Sequence, residues 1–260
     1  MPSILPNRRQ LKIAFLYLSP STQEFNPYIN NGNEEYYMNL IADQLVPFLH
    51  ASGISFTRNT TEMTAASSIE ASNSGEYDLH LALHSNAAGG DLVGTLTGID
   101  IYYSPASVQG QRAAELIQTQ LQKIYPNPEL VKIVPTTTLG EVTKVRAPGV
   151  LAELGYHDNL SDAEWIQTHL YEIARSLAIA LTEFFSLPFL EPQPPQIGIV
   201  DVNWGHLNIR AAPSLNAPIV AQCYDGARLT IWNQYEDWFV VEWNGIGGYA
   251  RKDYITKELP

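Results

Sequence analysis

The stretch from Tyr77 to Gly90 most constrains the fold of this chain. It reads Tyr-Asp-Leu-His-Leu-Ala-Leu-His-Ser-Asn-Ala-Ala-Gly-Gly, an apolar run that passes into a polar cluster and then into glycines. A short apolar run bounded by turn residues is typical of a buried strand. In open α/β sheets, ligands and catalytic groups gather where strands end. We therefore expect His84, near the end of this strand, to be a metal ligand or an acid–base group.

Other strand-like and helical segments alternate around this central strand. Apolar runs predict further strands at residues 12–18, 54–58, 98–103, 131–134 and 149–155. Helical spacing predicts helices at residues 34–49, 65–74, 109–125 and 161–185, the last capped by Ser161. This alternation predicts an α/β domain with a layered sheet flanked by helices.

The sequence changes character after residue 187. Residues 188–195 contain four prolines, which is typical of a stiff, extended linker. Beyond them, five short strand-like runs separated by Gly, Asn and Asp predict a small all-β barrel. We therefore expect a first domain at 1–187, a linker at 188–196 and a second domain at 197–260.

Composition limits the possible partners. The 260 residues carry a net charge of −12, which argues against binding nucleic acid or an anionic membrane surface. The single cysteine, Cys223, excludes an intrachain disulfide framework and a zinc site built from several cysteines. The first residues lack the basic-then-apolar order of a signal peptide. We therefore expect synthesis in the cytoplasm without an export signal.

Residues that can bind metal lie at the ends of three of the predicted elements. Glu35 lies at the start of the first helix, His84 ends the central strand, and Glu153 and His157 end the last strand. A hydrolytic zinc site needs a few His or Glu ligands and a free carboxylate that handles the proton. Glu34 is expected to be ordinary charge at the helix N-terminus. The sequence lacks the Gly-x-Ser-x-Gly motif that would suggest a serine hydrolase instead.

These motifs, taken in order, resemble those of the zinc-dependent N-acetylmuramoyl-L-alanine amidases of bacterial cell-wall turnover. The resemblance covers about residues 11–185 and rests on three segments, at Glu35–Leu45, Leu79–Ala87 and Pro148–Asn159. It implies an amidase-like mixed sheet with zinc on Glu35 and His84. It also implies that Glu153 is the catalytic acid–base group. We further expect Asn86 and Arg146 to bind substrate.

The first strand departs from the family pattern. The family has a further zinc-binding histidine in an Asp-Pro-Gly-His motif, where this chain reads Ser19-Pro20-Ser21 followed by Thr and Gln. We expect His157 to supply the third ligand, with capping of the next helix as the alternative. For Glu153 the alternative is a salt bridge with Arg146 or Arg112.

The second domain resembles a bacterial SH3-like cell-wall domain. The resemblance rests on Leu207-Asn-Ile-Arg-Ala-Ala-Pro213, Asp237-Trp-Phe-Val-Val241 and Gly248-Tyr-Ala-Arg-Lys-Asp-Tyr254. Such domains bind the wall or pack on the enzyme. The aromatic side chains expected to line a groove are Trp204, Trp232, Trp238, Trp243 and Tyr249.

The two resemblances thus imply a zinc hydrolase of peptidoglycan, which we expect to be a monomer. It would cut the amide between N-acetylmuramic acid and L-alanine, reaching the wall after release or lysis, as an autolysin or an endolysin does. Two alternatives remain. One is a zinc peptidase or an amidase of different specificity, and the other is an inactive wall-binding protein.

Overall fold

Residues 13–258 are described in the computed structural model of the chain, and they form two compact units. The amino-terminal unit comprises Phe15–Val46 and Phe56–Ser186. The carboxyl-terminal unit comprises residues 13–14, Pro47–Ser55 and residues 187–258. The boundaries drawn from the sequence remain predictions. Residues 1–12 lie outside the described residues; they include the start of the predicted first domain and the first residue, Lys12, of the predicted first strand.

The amino-terminal unit is built on a six-stranded sheet. Its strands are β1 (Phe15–Pro20), β2 (Ser55–Arg58), β3 (Leu79–Asn86), β4 (Ile99–Tyr103), β5 (Val131–Pro135) and β6 (Gly149–Tyr156). Their order across the sheet is β2-β1-β3-β6-β4-β5. β3 runs parallel to β1 and β6, whereas β4 runs antiparallel to β6. The predicted α/β class with a mixed sheet is confirmed.

Six helices accompany this sheet. They are α1 (Glu34–Ala51), α2 (Ala65–Ser74), α3 (Val108–Leu121), α4 (Gly140–Thr143), α5 (Leu160–Thr168) and α6 (Leu170–Phe185). The single long helix predicted at 161–185 is wrong, because His169 leaves the helical conformation with φ −121° and ψ 27°. The cap is Asn159, whose side chain accepts from the Ser161 and Asp162 amides. The short helix α4 was not predicted.

The core follows the expected periodicities. Leu79, Leu81 and Leu83 alternate along β3 and are fully buried. The helical stripe predicted on α1 is buried as well and comprises Met38, Ile41, Ala42, Leu45 and Phe48. No helix among residues 13–258 is long and apolar enough to cross a membrane.

The other face of β3 carries the polar groups. His80, Ala82 and His84 alternate with the leucines and therefore lie on the opposite side of the sheet. His84 pairs with Glu153 on β6, and Glu153 pairs with Asp100 on β4. Paired residues on neighbouring strands share a face. The sheet thus sets an imidazole and two carboxyl groups side by side.

The carboxyl-terminal unit contains a seven-stranded antiparallel sheet. Its strands are β7 (Gln196–Val200), β8 (Leu207–Arg210), β9 (Ile219–Cys223), β10 (Arg228–Tyr235), β11 (Trp238–Trp243), β12 (Ile246–Arg251) and β13 (Ile255–Lys257). Their order is β13-β7-β10-β11-β12-β8-β9. The all-β class is confirmed, although β9 and β13 were not predicted.

Two of the predicted groove aromatics belong instead to the core of this unit. Trp238 and Tyr249 are buried, and they are packed against Leu187 and against Leu190 of the proline-rich segment. The Tyr249 hydroxyl donates a 2.8 Å hydrogen bond to the Ser52 carbonyl. The segment before β7 therefore takes part in the packing of the unit.

Candidate active site

His84 is the centre of a buried cluster in the amino-terminal unit. Its Nδ1 lies 2.7 Å from Oε1 of Glu34, and its Nε2 lies 2.9 Å from Oε2 of Glu141. All three side chains are at least nine-tenths buried. A buried imidazole with a carboxylate at each nitrogen can donate to both as the imidazolium.

Glu34 reaches the cluster from the first turn of α1. Its second oxygen, Oε2, accepts a 2.6 Å hydrogen bond from Asn26, and the Ser85 amide donates to Oε1 at 3.4 Å. The helix N-terminus also favours a negative charge at this position. The side chain is thus fixed on both oxygens and directs Oε1 to His84.

Glu141 approaches His84 from the other side and comes from α4. Its Oε1 accepts a 2.5 Å hydrogen bond from the Ser19 hydroxyl and lies 3.4 Å from Nε2 of His80. His80, as expected, is buried and hydrogen-bonded, with its Nδ1 3.0 Å from the Ser72 hydroxyl. Glu141 could not be identified from the sequence, because a four-residue helix is too short to show a periodicity.

The protonation of the cluster follows from these contacts. Burial acts to lower the pKa of His84, but its bonds with Glu141 and Glu34 raise that pKa well above the ordinary value. Burial acts to raise the pKa of Glu34 and of Glu141. Hydrogen bonds with histidine outweigh it and hold both pKa values below the ordinary range. His84 is therefore positive between two carboxylates at neutral pH.

Glu153 lies beside this cluster and differs from the other carboxyl groups. Its Oε2 is buried and accepts no hydrogen bond within the described part of the chain, while the residue as a whole stays partly exposed. Burial raises its pKa to about 7, against the lowering effect of His84 and with further raising by Glu34, Asp100 and Glu141. A carboxyl group that titrates near neutral pH can both take and return a proton.

The alternative salt bridge for Glu153 is wrong. The Arg112 guanidinium donates to the carbonyls of Glu183 and Phe184. Arg146 donates to the Asn73 and Gly75 carbonyls at the end of α2. Arg146 also precedes β6, whereas Glu153 lies well inside that strand. The Arg146 guanidinium is thus engaged at the end of α2, and its predicted role in substrate binding stays a prediction.

Glu34, and not the predicted ligand Glu35, lies against His84. Consecutive helical residues point about 100° apart, so only one of the two glutamates can face β3. Glu34 does so, while Glu35 is partly exposed and burial raises its pKa together with the charges of Glu24 and Glu62. The assignment of Glu34 to mere helix charge was therefore wrong.

His157 does not join the cluster as predicted. Its Nδ1 lies 2.9 Å from the carbonyl and 3.0 Å from the hydroxyl of Ser85, and its ring stacks on Tyr28. The reason is a register shift between β3 and β6: His84 pairs with Glu153, but Asn86 pairs with Tyr156. The extra residue moves His157 to the face of Ser85, opposite that of His84.

Asn86 lies at the end of β3, where its carbonyl accepts from the His157 amide and its side chain accepts from the Ala87 amide. Its substrate-binding role stays a prediction. Gln23 follows the segment in which the family carries its first histidine. The Gln23 amide nitrogen lies 3.3 Å from Nδ1 of His84, and its oxygen accepts from Asn26.

These residues do not assemble the three-ligand zinc site implied by the resemblance. Glu34 and His84 are ligands of the right kind, but they already share a hydrogen bond, and the other nitrogen of His84 faces Glu141. Within residues 13–258, no group of three His, Cys, Asp or Glu side chains is arranged to hold a metal. The donor set therefore differs from the one predicted.

Comparison with known proteins identifies both parts of the chain. A family model described as N-acetylmuramoyl-L-alanine amidase matches residues 24–183, and one described as bacterial SH3 domain matches residues 205–256. No curated protein sequence matches the chain significantly.

Solved structures of similar fold cover the amino-terminal part. The amidase AmiC2 of Nostoc punctiforme is 14% identical, with a TM-score of 0.59 over 68% of this chain and 99% of that one. The amidase Ami1 from Mycobacterium smegmatis is 15% identical, with a TM-score of 0.57 over 66% of this chain and 97% of that one. The catalytic domain of the CD27L endolysin targeting Clostridia difficile is 18% identical, with a TM-score of 0.52 over 65% and 97%. At these identities the likeness establishes the fold.

Proposed function

Because the chain belongs to the N-acetylmuramoyl-L-alanine amidase family, we propose that the cluster around His84, together with Glu153, is the site of amide hydrolysis. The substrate class of the family is peptidoglycan. The bond that is cut joins the lactyl group of N-acetylmuramic acid to the nitrogen of L-alanine. The remaining question is which residues of this chain perform the reaction.

The observation that carries the proposal is the environment of Glu153. Its buried Oε2 lacks a hydrogen-bond partner in the described structure, and its pKa is raised to about 7. As a carboxylate, Glu153 would take a proton from the water that attacks the amide carbonyl carbon. It would then deliver that proton to the alanine nitrogen as the carbon–nitrogen bond breaks.

His84 provides the neighbouring positive charge. The imidazolium is held between Glu34 and Glu141, and its charge keeps the pKa of Glu153 from rising further. Without this charge, the carboxylate form of Glu153 would be scarce at neutral pH, because burial and then the like charges of Glu34, Asp100 and Glu141 raise its pKa. The cluster thus supports a base that works near pH 7.

Zinc is the cofactor implied by the family, and in this chain it would meet Glu34 and His84. Binding would require displacement of the proton that these two side chains share. The predicted third ligand, His157, faces Ser85 instead. We assign no step of the reaction to a metal, and zinc binding by this chain stays a proposal.

The reaction is tested by digesting purified peptidoglycan with the full chain and identifying the products by mass spectrometry. We expect stem peptides that begin with L-alanine and glycan strands that keep their lactyl groups. New amino groups at other positions would indicate a peptidase or a different amidase. Sedimentation with the wall and no new amino groups, even with added zinc, would indicate the inactive wall-binding alternative, which the incomplete ligand set favours.

The carboxyl-terminal unit, which contains a bacterial SH3 domain, would hold the enzyme on the wall. Trp204 is the aromatic residue best placed for this, because it is 89% exposed. Alanine at this position should lower the fraction of protein that sediments with the wall. The monomeric state, the lack of nucleic-acid or membrane partners, and action after release or lysis stay predictions.

A further inference from the structure

Glu141 is the member of the cluster that neither the motifs nor the family resemblance identifies. It lies on α4, and the neighbouring Val142 packs on the sheet face against Ala82 and Leu151. This packing places α4 over β6 and over β3, the strand that carries both His80 and His84. The carboxylate of Glu141 is consequently held over the sheet and is 5% exposed.

Both oxygens of Glu141 are bound to other elements. Oε2 meets Nε2 of His84 at 2.9 Å, while Oε1 accepts from Ser19 on β1 and lies near His80 on β3. His80 is fixed in turn by Ser72 on α2 and by stacking on Tyr17. The orientation of the carboxylate is therefore set directly by β1 and β3, and α2 supports it through His80.

Stability alone does not account for such an arrangement. A buried ion pair commonly contributes little net stability, since removing two charges from water is costly. A carboxylate on the remote nitrogen of a functional histidine, in contrast, is a recurrent way to fix the orientation and the protonated nitrogen of the ring.

We propose that Glu141 is a positioning residue for His84. By accepting the Nε2 hydrogen bond, it fixes the ring so that Nδ1 faces Glu34 and the imidazole lies beside Glu153. This inference rests on the proposed function for its importance to the reaction, but the orientation of the ring can be measured independently of activity.

The test compares Glu141→Gln and Glu141→Ala with the wild type. Glu129→Gln serves as the control, because Glu129 is exposed and lies just before β5, the edge strand that lies three strands from β3. The proton and nitrogen NMR signals of the His84 imidazole are recorded on full-length chain labelled with ¹⁵N-histidine, and His84→Asn identifies them. Rates are measured on muropeptides.

We expect the His84 signals to shift in both variants, and more in Glu141→Ala. We expect kcat to fall by about 10- to 100-fold with KM changed by less than about twofold. Glu129→Gln should match the wild type. A folded Glu141→Gln chain with unshifted His84 signals would overturn the proposal whatever its activity, and this variant alone decides the matter if Glu141→Ala does not fold. If the His84 signals shift in the variants but the wild type itself shows no amidase activity, the positioning role is supported and the proposed function is contradicted.

Discussion

Two adjacent glutamates at the start of α1 show how a single residue decides the site. Glu34 is buried against His84, whereas Glu35 faces the charges of Glu24 and Glu62. The sequence placed a carboxylate at this helix start correctly. It could not tell which one, because the rotation of the helix about its axis is set by tertiary packing.

Glu35 provides a matched control for a substitution at Glu34. Glu34→Gln should lower kcat on muropeptides by about 10- to 100-fold, because the charge that holds His84 at Nδ1 is lost. Glu35→Gln should leave kcat within about twofold of the wild type, since its side chain lies outside the cluster. Equal losses in both variants, or a loss confined to Glu35→Gln, would contradict this placement.

The raised pKa of Glu153 leads to a dependence of rate on pH. Water activation requires the carboxylate, so kcat/KM should rise with pH and reach half of its plateau near pH 7. Well below that pH the rate should fall about tenfold for each unit. The measurement is initial rate on muropeptides between pH 5 and 9. A limb centred near the ordinary glutamate value would mean that Glu153 is not the titrating base.

The raised pKa of Glu153 also makes the free energy of unfolding depend on pH. Because the folded state raises the pKa of Glu153 to about 7, it binds the proton more tightly than the unfolded chain does. This contribution to stability is fully present below the ordinary glutamate pKa and is lost as pH rises to about 7. Urea unfolding of the wild type and Glu153→Gln over this range should show a steeper loss in the wild type.

At the scale of elements, the end of β6 explains why His157 was misplaced. His157 follows Glu153 by four residues, and this even spacing would put both side chains on one face of a regular strand. The register shift beside Gly155, whose φ is +115°, reverses that phase. A bulge of this kind has no reliable signal beyond the glycine itself, so the face of His157 could not be predicted.

Gly155→Ala should therefore disturb the site. A side chain is strained at this φ, and its Cβ would approach Ile166 to 3.3 Å. We expect a loss of about 1–3 kcal/mol in the free energy of unfolding, together with reduced activity. Gly89→Ala is the matched control, because nothing lies within 4 Å of a Cβ there. Equal stability of the two variants in urea unfolding would contradict the account.

Elements with strong periodicity were predicted well. The strands β3 and β6 and the buried stripe of α1 occur where apolar spacing placed them. The failures have physical causes: α4 is too short to carry a pattern, and the break between α5 and α6 depends on the conformation of His169. Glu141 was missed for the same reason, because it lies on α4.

At the scale of the whole molecule, the carboxyl-terminal unit includes a segment distant in sequence. Pro47–Ser55 groups with the seven-stranded sheet, and the Tyr249 hydroxyl donates a hydrogen bond to the Ser52 carbonyl. Tyr249→Phe should lower the melting temperature and cost about 1–2 kcal/mol, because a buried carbonyl loses its partner. Hydrogen exchange should quicken in residues 47–55 and in the seven-stranded sheet together. Exposed Tyr254→Phe is the control, and unchanged exchange in residues 47–55 would contradict this grouping.

The central claim is that Glu153 performs amide hydrolysis in this chain. The most direct measurement is the rate at which wild type and Glu153→Gln release alanine-terminated stem peptides from purified muropeptides, followed by mass spectrometry. We expect release by the wild type and a decrease on the order of 10²- to 10⁴-fold in the variant, with circular dichroism unchanged. Release by Glu153→Gln at the wild-type rate would contradict the claim.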